Sequence, residues 1–573
     1  MDLTDSPATV AATFATTLVD EWVRAGVGHA VVSPGSRSTP LALALAADSR
    51  IHVHVHQDER AGGFTALGIS AASGQPTIVL TTSGTAAAEL HAAVVEADLG
   101  RVPLVVCTAD RPPELRGVGA PQTIDQSRIY GSSTRWFCEP GVPDAALADT
   151  WRSVAARAVS EASGPPPGPV HLNLAFRDPL MGEPAQLPPG RSGGAPWHQR
   201  VVAPRRIAHE DALRIASTCR GRAGVIVAGT DIRHPEHVLL LAHTLRWPVF
   251  ADPRSGCRVP DRAVVSHFDA LVRSGGLDAP DVVIRLGMPP ASKALARWVD
   301  AAHCTEIVVD RDGWWLDPER NAALVVEADP SIACLELAPL LEDESRSSEW
   351  LDTWAEAEGL ASAALAGALE AGSRLSEPAI ARTVVAGLPD GSSLVVASSM
   401  PVRDVEWYAA PREACRTLAN RGANGIDGVV STAVGVALAG GPTTALVGDV
   451  AFLHDLNGLL GAQDRAIDLT VVVVDNNGGG IFSFLPQAGA VSDDRFEELF
   501  GTPHGLSLDE VAAPFGVRTH AAADVSELSA LMTKCAGVSG IDVVIARTDR
   551  AENVRVHDAL NEAVAAAVAA TRG

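Results

Sequence analysis

Short apolar runs recur along the chain, separated by stretches in which apolar positions return every three or four residues. Such runs are too short for helices of their own, and the intervening periodicity suits a helix laid across a sheet, so the pattern predicts repeated βαβ units. Between Ala8 and Phe176 the predicted strands are GHAVVS, IHVHVH, PTIVLTT, VPLVVCTAD and PVHLNLAF. A second series, AGVIVAG, WPVFAD, DVVIRLG, EIVVD and ALVVEAD, ends near Leu341. A third, SLVVAS, CRTLAN, TTALVG, LTVVVV and IDVVIA, precedes an alanine-rich terminal helix. Runs that are apolar throughout belong to parallel strands covered on both faces. The expected fold is α/β, with three doubly wound parallel-sheet domains.

The series divide the chain into residues 1–185, 198–345 and 373–573. Between the first two lies GEPAQLPPGRSGGAPW, from Gly182 to Trp197, whose prolines and glycines read as a linker. The acidic, alanine-rich segment from Glu342 to Gly372 reads as a helical connector. In SEPAIARTVV, Ser376 is placed to cap a helix with Pro378 in its first turn. The three domains are similar enough in size to be distant copies of one plan.

With 573 residues, 47% of them hydrophobic, the chain is long enough for three or four cores. A net charge of −24 repels nucleic acid and anionic lipid, so neither is an expected partner, while local basic pockets stay possible. Only Lys293 and Lys534 are lysines, leaving 43 of the 45 basic residues as arginine. The eight cysteines form no CxxC pair or zinc-type spacing and read as reduced thiols. MDLTDSPATV begins acidic, without the basic and then apolar regions of a secretory leader, and no apolar run approaches the ~20 residues that span a bilayer. A cytoplasmic protein without membrane insertion is expected.

Candidate chemistry concentrates in GDVAFLHDLNGLLGAQDRAIDLTVVVVDNNGGGIF, from Gly448 to Phe482. Asp449 leaves one predicted strand and Asn476 leaves the next, 27 residues later. Ligands of open α/β sheets bind at those carboxyl ends. A carboxylate, an amide oxygen and a main-chain carbonyl, that of Gly478, are hard oxygen donors suited to Mg²⁺. A helix starting near Asp455 and the glycines 478 to 480 would offer N–H groups to a diphosphate. Asp and Asn also serve as turn and capping residues, so neither decides the matter alone. In HVHVHQDERAGGFTALGIS, Glu59 stands where a strand ends and a helix begins. Its plainer role is to favour the helix N-terminus, worth ~0.3–1 kcal/mol.

GD followed by NN across a β-turn-α-β unit resembles the thiamine diphosphate motif, with Val450 where that motif usually ends in Gly. SPGSRSTPLALAL (Ser33 to Leu45), TTSGTAAAEL, TADRPPEL, GAPQTIDQ, NRGANGIDGVVST and NNGGGIFSFLP resemble the 2-succinyl-5-enolpyruvyl-6-hydroxy-3-cyclohexene-1-carboxylate (SEPHCHC) synthase family of menaquinone biosynthesis. GMPPASKALARW is the best local match in the middle domain. The resemblance implies thiamine diphosphate and Mg²⁺ as cofactors, with Mn²⁺ as a substitute. It implies decarboxylation of 2-oxoglutarate and 1,4-addition to isochorismate, in a homodimer or homotetramer with active sites at the subunit interface.

Residue by residue, the resemblance implies that Glu59 activates the cofactor at N1′ of its aminopyrimidine. Asp449, Asn476 and Gly478 would hold the metal. Ser399 and Ile426 would contact the cofactor, Ile426 as the wedge that bends its two rings into a V. Ser36, Arg37, Arg111, Gln122, Lys293, Ser399, Arg403 and Arg421 would bind the substrates, most of them cationic because both substrates are multiply anionic. Gln122 would also orient an intermediate. Ile481, Phe482 and Leu485 would form an apolar wall that excludes water. Ala294 follows Lys293 where some relatives carry a second basic residue. Each residue has a plainer alternative: a surface charge or ion pair for the cations, core packing for the apolar side chains. None of the 17 histidines lies in a motif that assigns it proton transfer. Two other functions fit the same motifs. One is a different thiamine-dependent carboligase or decarboxylase, of the acetolactate synthase kind, although VIVAGTDIRHPE has no glycine fingerprint for a dinucleotide. The other is a non-catalytic cofactor-binding regulatory protein, which would not need Glu59.

Overall fold

Eighteen strands form in the described residues of the computed structural model, which are 6–230, 232–342, 347–370 and 375–570, and every pairing between them is parallel. The first sheet holds β1 (His29–Val32), β2 (His52–Val55), β3 (Thr77–Thr81), β4 (Leu104–Asp110), β5 (Trp136–Cys138) and β6 (Pro169–Ala175). The second holds β7 (Gly224–Ala228), β8 (Val249–Ala251), β9 (Val264–Val265), β10 (Val282–Leu286), β11 (Thr305–Asp310) and β12 (Ala322–Glu327). The third holds β13 (Ser393–Val396), β14 (Arg416–Leu418), β15 (Thr443–Gly448), β16 (Asp468–Asp475), β17 (Arg518–Ala522) and β18 (Gly540–Arg547). The fifteen strands expected from apolar runs all form. β3, β4, β6 and β7 are buried at every position, as strands covered on both faces must be.

The first sheet runs β2-β1-β3-β4-β6-β5 and the third β14-β13-β15-β16-β18-β17, which is the same order. The second, β12-β11-β10-β7-β8-β9, instead winds outward in two halves from β7 and β10. The notion of three copies of one plan therefore holds for the outer domains and fails for the middle one.

The expected domain limits at 345 and 373 lie outside the described residues. Inside the connector, the helix Glu349–Glu370 buries Trp354, Ala357, Ala361 and Leu365 along one stripe. They share a cluster with Phe250 and Phe268 of the middle domain and with Leu560, Val564 and Val568 of the terminal helix Arg550–Ala570. The connector is thus a packed strut. Ser376 caps Glu377–Ala386 as expected, accepting the Ala379 N–H. The segment read as a linker is fastened to the first domain: Ala185 N–H donates to Thr13 Oγ1 (2.9 Å), Arg152 Nε to the Pro188 carbonyl (2.9 Å), and Trp197 N–H to buried Glu21.

Two helices lock the outer domains together. A Cβ on Gly68, in helix Glu59–Ser73, would lie 2.1 Å from the Thr432 carbonyl oxygen; one on Gly435, in helix Val429–Ala439, would lie 2.0 Å from that of Thr65. The helices cross backbone to backbone, a distance only glycine permits. Beside this crossing, Asn457 Nδ2 donates to Asp58 (2.7 Å) and Arg60 donates to the His454 carbonyl (2.9 Å). Arg101 joins the first domain to the second through Asp310 (2.7 Å) and Asp312 (3.2 Å), with all three side chains buried. No disulfide joins any of the eight cysteines among the described residues. No helix among the described residues is long and apolar enough to cross a membrane.

Candidate active site

β15 and β16 are neighbours in the third sheet, so their carboxyl ends deliver Asp449 and Asn476 to the same place. The helix expected near Asp455 begins at Asp449 itself and runs Asp449–His454. Asp455 instead holds Ser431 by its N–H (2.7 Å) and hydroxyl (2.9 Å). Asp449 is buried; its Oδ2 accepts the N–H groups of Asn476 (3.1 Å) and Gly478 (2.8 Å), and its Oδ1 that of Val450 (2.6 Å). Burial nevertheless pushes its carboxyl above the usual range, against the pull of those N–H groups. Gly478 has φ +138° and a Cβ there would lie 2.0 Å from the Gly501 carbonyl oxygen, so only glycine fits. Its own carbonyl accepts the Gly480 N–H at 2.9 Å.

The two asparagines of the pair do different things. Asn477 Oδ1 accepts the Gly505 N–H (2.8 Å). Asn476 Nδ2 donates to Glu377 (2.8 Å), while its Oδ1 is buried without a partner. An orphaned buried acceptor costs about 1–3 kcal/mol. A divalent cation next to this oxygen and the Asp449 carboxylate would satisfy both, so the residues fit Mg²⁺ or Mn²⁺.

Two neighbours carry no sequence signal. His504 Nδ1 accepts the Leu506 N–H (3.0 Å), which leaves the proton on Nε2 to be donated to Asp449 (3.3 Å); Asp475 lies 3.6 Å away. Glu377 is buried behind Asn476, and burial together with the charge of Asp404 pushes its carboxyl up.

In the first domain the strand ends build a cationic cluster. The loops after β1 and β3 press together: a Cβ on Gly35 would lie 2.3 Å from Thr82 Cβ. Arg37, buried, donates to the Phe176 carbonyl (2.9 Å) and Asp178 (3.0 Å). Arg111, after β4, donates to Ser83 Oγ (2.5 Å) and the Pro121 carbonyl (3.0 Å). Burial and the neighbouring charge of Arg37 push Arg111 down. Gln122, at φ +56°, donates its amide to the Ser83 carbonyl (3.0 Å). Ser36 is exposed in the same loop as Arg37. Glu59 opens its helix half-buried; Asp58, accepting the Ala61 N–H (3.0 Å), does the capping. The Glu59 carboxylate has no hydrogen-bond partner among the described residues.

A second cationic cluster lies at the ends of β13 and β14. Ser399 (φ +75°) opens the helix Met400–Tyr408, and its carbonyl accepts from Arg403. Burial pushes Arg403 down, with Glu406, Asp404 and Asp269 pulling it back up. Arg421 is half-buried, its Nε enclosed without a partner, and burial with the charge of Arg254 pushes it down to about 10. Arg254, which no motif indicated, is gripped by Asp252 (2.9 and 2.7 Å). Glu96, another residue without a motif, reaches across from the first domain and accepts the N–H groups of Gly422 and Ala423, both at 2.7 Å.

Ile426 is half-buried against the core of the third domain. Ile481, Phe482 and Leu485 are all half-buried around the turn Gly480–Phe484, with Phe482 packed 5.5 Å from the Phe500 ring. Lys293 stands apart: it is exposed at the start of helix Lys293–Ala302, although Glu406 holds the preceding loop through the Ala291 N–H (2.6 Å). Among the described residues, no hydrogen bond or ion pair joins the Arg37–Arg111 cluster to the Asp449 site.

Three family profiles cover this architecture. Residues 12–129 match the thiamine pyrophosphate enzyme N-terminal TPP binding domain, 192–396 the middle domain of thiamine pyrophosphate enzymes, and 405–569 the C-terminal TPP binding domain. A SEPHCHC synthase of Chloroflexus aurantiacus is 43% identical over 548 residues, spanning 93% of this chain and 92% of its own length. Synthases of the same name from Thermobifida fusca and Geobacillus thermodenitrificans are 43% and 40% identical over 574 residues each, covering 96% of this chain and 98% and 96% of theirs. With identity of that order running through all three domains, the chain belongs to the SEPHCHC synthase family of thiamine diphosphate-dependent enzymes.

Proposed function

We propose that the protein decarboxylates 2-oxoglutarate and adds the succinyl-semialdehyde unit to isochorismate in a 1,4-addition, giving SEPHCHC and CO₂ in menaquinone biosynthesis. It would work in the cytoplasm as a homodimer or homotetramer, with the first domain of one copy facing the third domain of another. The observation that carries the reading is the buried Asp449 carboxylate beside an Asn476 oxygen that has no protein partner. When bound, thiamine diphosphate supplies the carbon nucleophile and the electron sink for decarboxylation.

The chain's own residues do the rest. Asp449, Asn476 and the Gly478 carbonyl would hold the Mg²⁺, and Ser399 and Ile426 would line the cofactor. Glu59, unspent on capping, would hold a proton at the pyrimidine N1′. Arg403 and Arg421 on one side, and Ser36, Arg37 and Arg111 on the other, bind the substrates' carboxylates, with Lys293 closing from the middle domain. Gln122, held on Ser83, orients the reacting substrate. Ile481, Phe482 and Leu485 would keep water from the reacting centre.

The test is to incubate the protein with thiamine diphosphate, Mg²⁺ and 2-oxoglutarate, with and without isochorismate, and identify products by mass. The expected result is a product of SEPHCHC mass only in the complete mixture. Turnover of other 2-oxoacids with no isochorismate adduct would refute the assignment.

A further inference from the structure

Only one end of a carboxamide binds a cation, so a metal site that uses Asn476 must settle which end faces the metal. Nothing on the cation side does so; the choice is made from behind. Glu377 opens the helix Glu377–Ala386, 99 residues earlier in the chain, and its Oε1 accepts Asn476 Nδ2 at 2.8 Å. Thr548, just past β18, donates to the same oxygen at 3.4 Å and holds Glu377 in turn. That oxygen accepts from both Asn476 Nδ2 and Thr548 and so has no proton of its own to give Asn476 Oδ1, which is why the amide presents its NH₂ to Glu377. Gly480 closes the remaining side, since a Cβ there would lie 2.4 Å from Asn476 Nδ2. The amide is boxed, and its oxygen is left without a partner among the described residues.

We propose that Glu377 is a positioning residue for the cofactor's divalent cation, fixing the Asn476 amide so that its oxygen faces the metal. The inference rests on the reading of Asp449 and Asn476 as metal ligands. Residues that orient ligands in this way typically change metal affinity 10–100-fold when removed.

Mn²⁺ alone is the probe. Free Mn²⁺ is followed by electron paramagnetic resonance as it is titrated into the full-length protein with saturating thiamine diphosphate. The proteins compared are wild type, Glu377→Ala, Glu377→Leu, Glu377→Gln and Asp449→Asn. Glu377→Ala should weaken Mn²⁺ binding about 10–100-fold. Glu377→Leu, closer in volume, carries the test if the alanine variant does not fold. Glu377→Gln keeps an oxygen that accepts from Nδ2 and should bind Mn²⁺ nearly as wild type does. Unweakened binding in the alanine or leucine variant, with Asp449→Asn impaired, overturns the positioning role alone. Equal weakening in the glutamine and alanine variants also overturns it, because an oxygen kept within reach of Nδ2 would then not restore binding. Unimpaired binding in Asp449→Asn overturns the metal site itself.

Discussion

The hold of Glu96 on the Arg421 loop can be broken by exchanging one atom. Its carboxylate, buried in helix His91–Leu99, accepts two consecutive main-chain N–H groups at 2.7 Å each, those of Gly422 and Ala423. The loop is pressed close at this point, since a Cβ on Gly422 would lie 2.7 Å from Gly100 N. In Glu96→Gln only one oxygen can accept, and the amide NH₂ meets the other N–H donor to donor. A hydrogen bond to a charged group is worth about 1.5–3 kcal/mol. Part of that loss is offset, because burial pushes the Glu96 carboxyl up and the neutral amide is spared that penalty. A net loss of roughly 1–2 kcal/mol falls on the loop that carries Arg421 and Ile426. If Arg421 binds its carboxylate only from the ordered loop, the KM for 2-oxoglutarate rises about 5–30-fold, at tenfold per 1.4 kcal/mol. The assay is steady-state CO₂ release against 2-oxoglutarate concentration, with kcat falling less than KM rises. Glu96→Gln with wild-type KM would refute the coupling between this carboxylate and the substrate site.

Arg421→Met should leave the melting temperature almost unchanged, since the Arg421 side chain makes no hydrogen bond or ion pair among the described residues, yet raise the KM for 2-oxoglutarate about 10–100-fold; an unaltered KM would remove it from the site. Arg37→Met, which also cuts the ties to Phe176 and Asp178, should lower both the melting temperature and activity. Glu59→Gln should retain Mn²⁺ and thiamine diphosphate binding, measured by titration, while turnover falls at least about 10²-fold; near-wild-type turnover would exclude Glu59 from the reaction. Asp455 tests pH dependence. Burial pushes its carboxyl up to about 6, above the ~3.9 of an unfolded chain, so the native state holds the proton between those values and stability falls as pH rises through that window. In Asp455→Asn the amide oxygen accepts the Ser431 N–H and its NH₂ donates to the hydroxyl, so the variant should lose that slope. Melting curves of the two proteins that stay parallel from pH 4 to 7 would contradict this.

The strands that escaped the apolar pattern are β5 (WFC), β9 (VV) and β17 (RTHAA), and each is one of the two edge strands of its sheet. A strand at an edge has one neighbour, is short, and need not be apolar on both faces, so it leaves no continuous run to read. Asp449 and Asn476 were legible because a strand's carboxyl end places its next residue at the ligand face whatever the rest of the fold does. Glu96, Arg254 and Glu377 were not, because each belongs to a segment far away in sequence whose approach no local spacing records, and His504 was not, because it stands in a loop outside any motif.

Local chemistry along the chain was therefore enough to determine three α/β units, the two strand exits that bring Asp449 and Asn476 together, and the family. Tertiary structure alone decided that the middle sheet is wound differently, that Asn477 is spent on Gly505 while the Asn476 oxygen stays open, and that Arg37 is paired with Phe176 and Asp178 while the Arg421 Nε is enclosed without a partner. The physical reason is that apolar periodicity is a property of neighbours in sequence, whereas the pairing of a buried polar atom depends on which distant donor or acceptor the packing brings within about 3 Å.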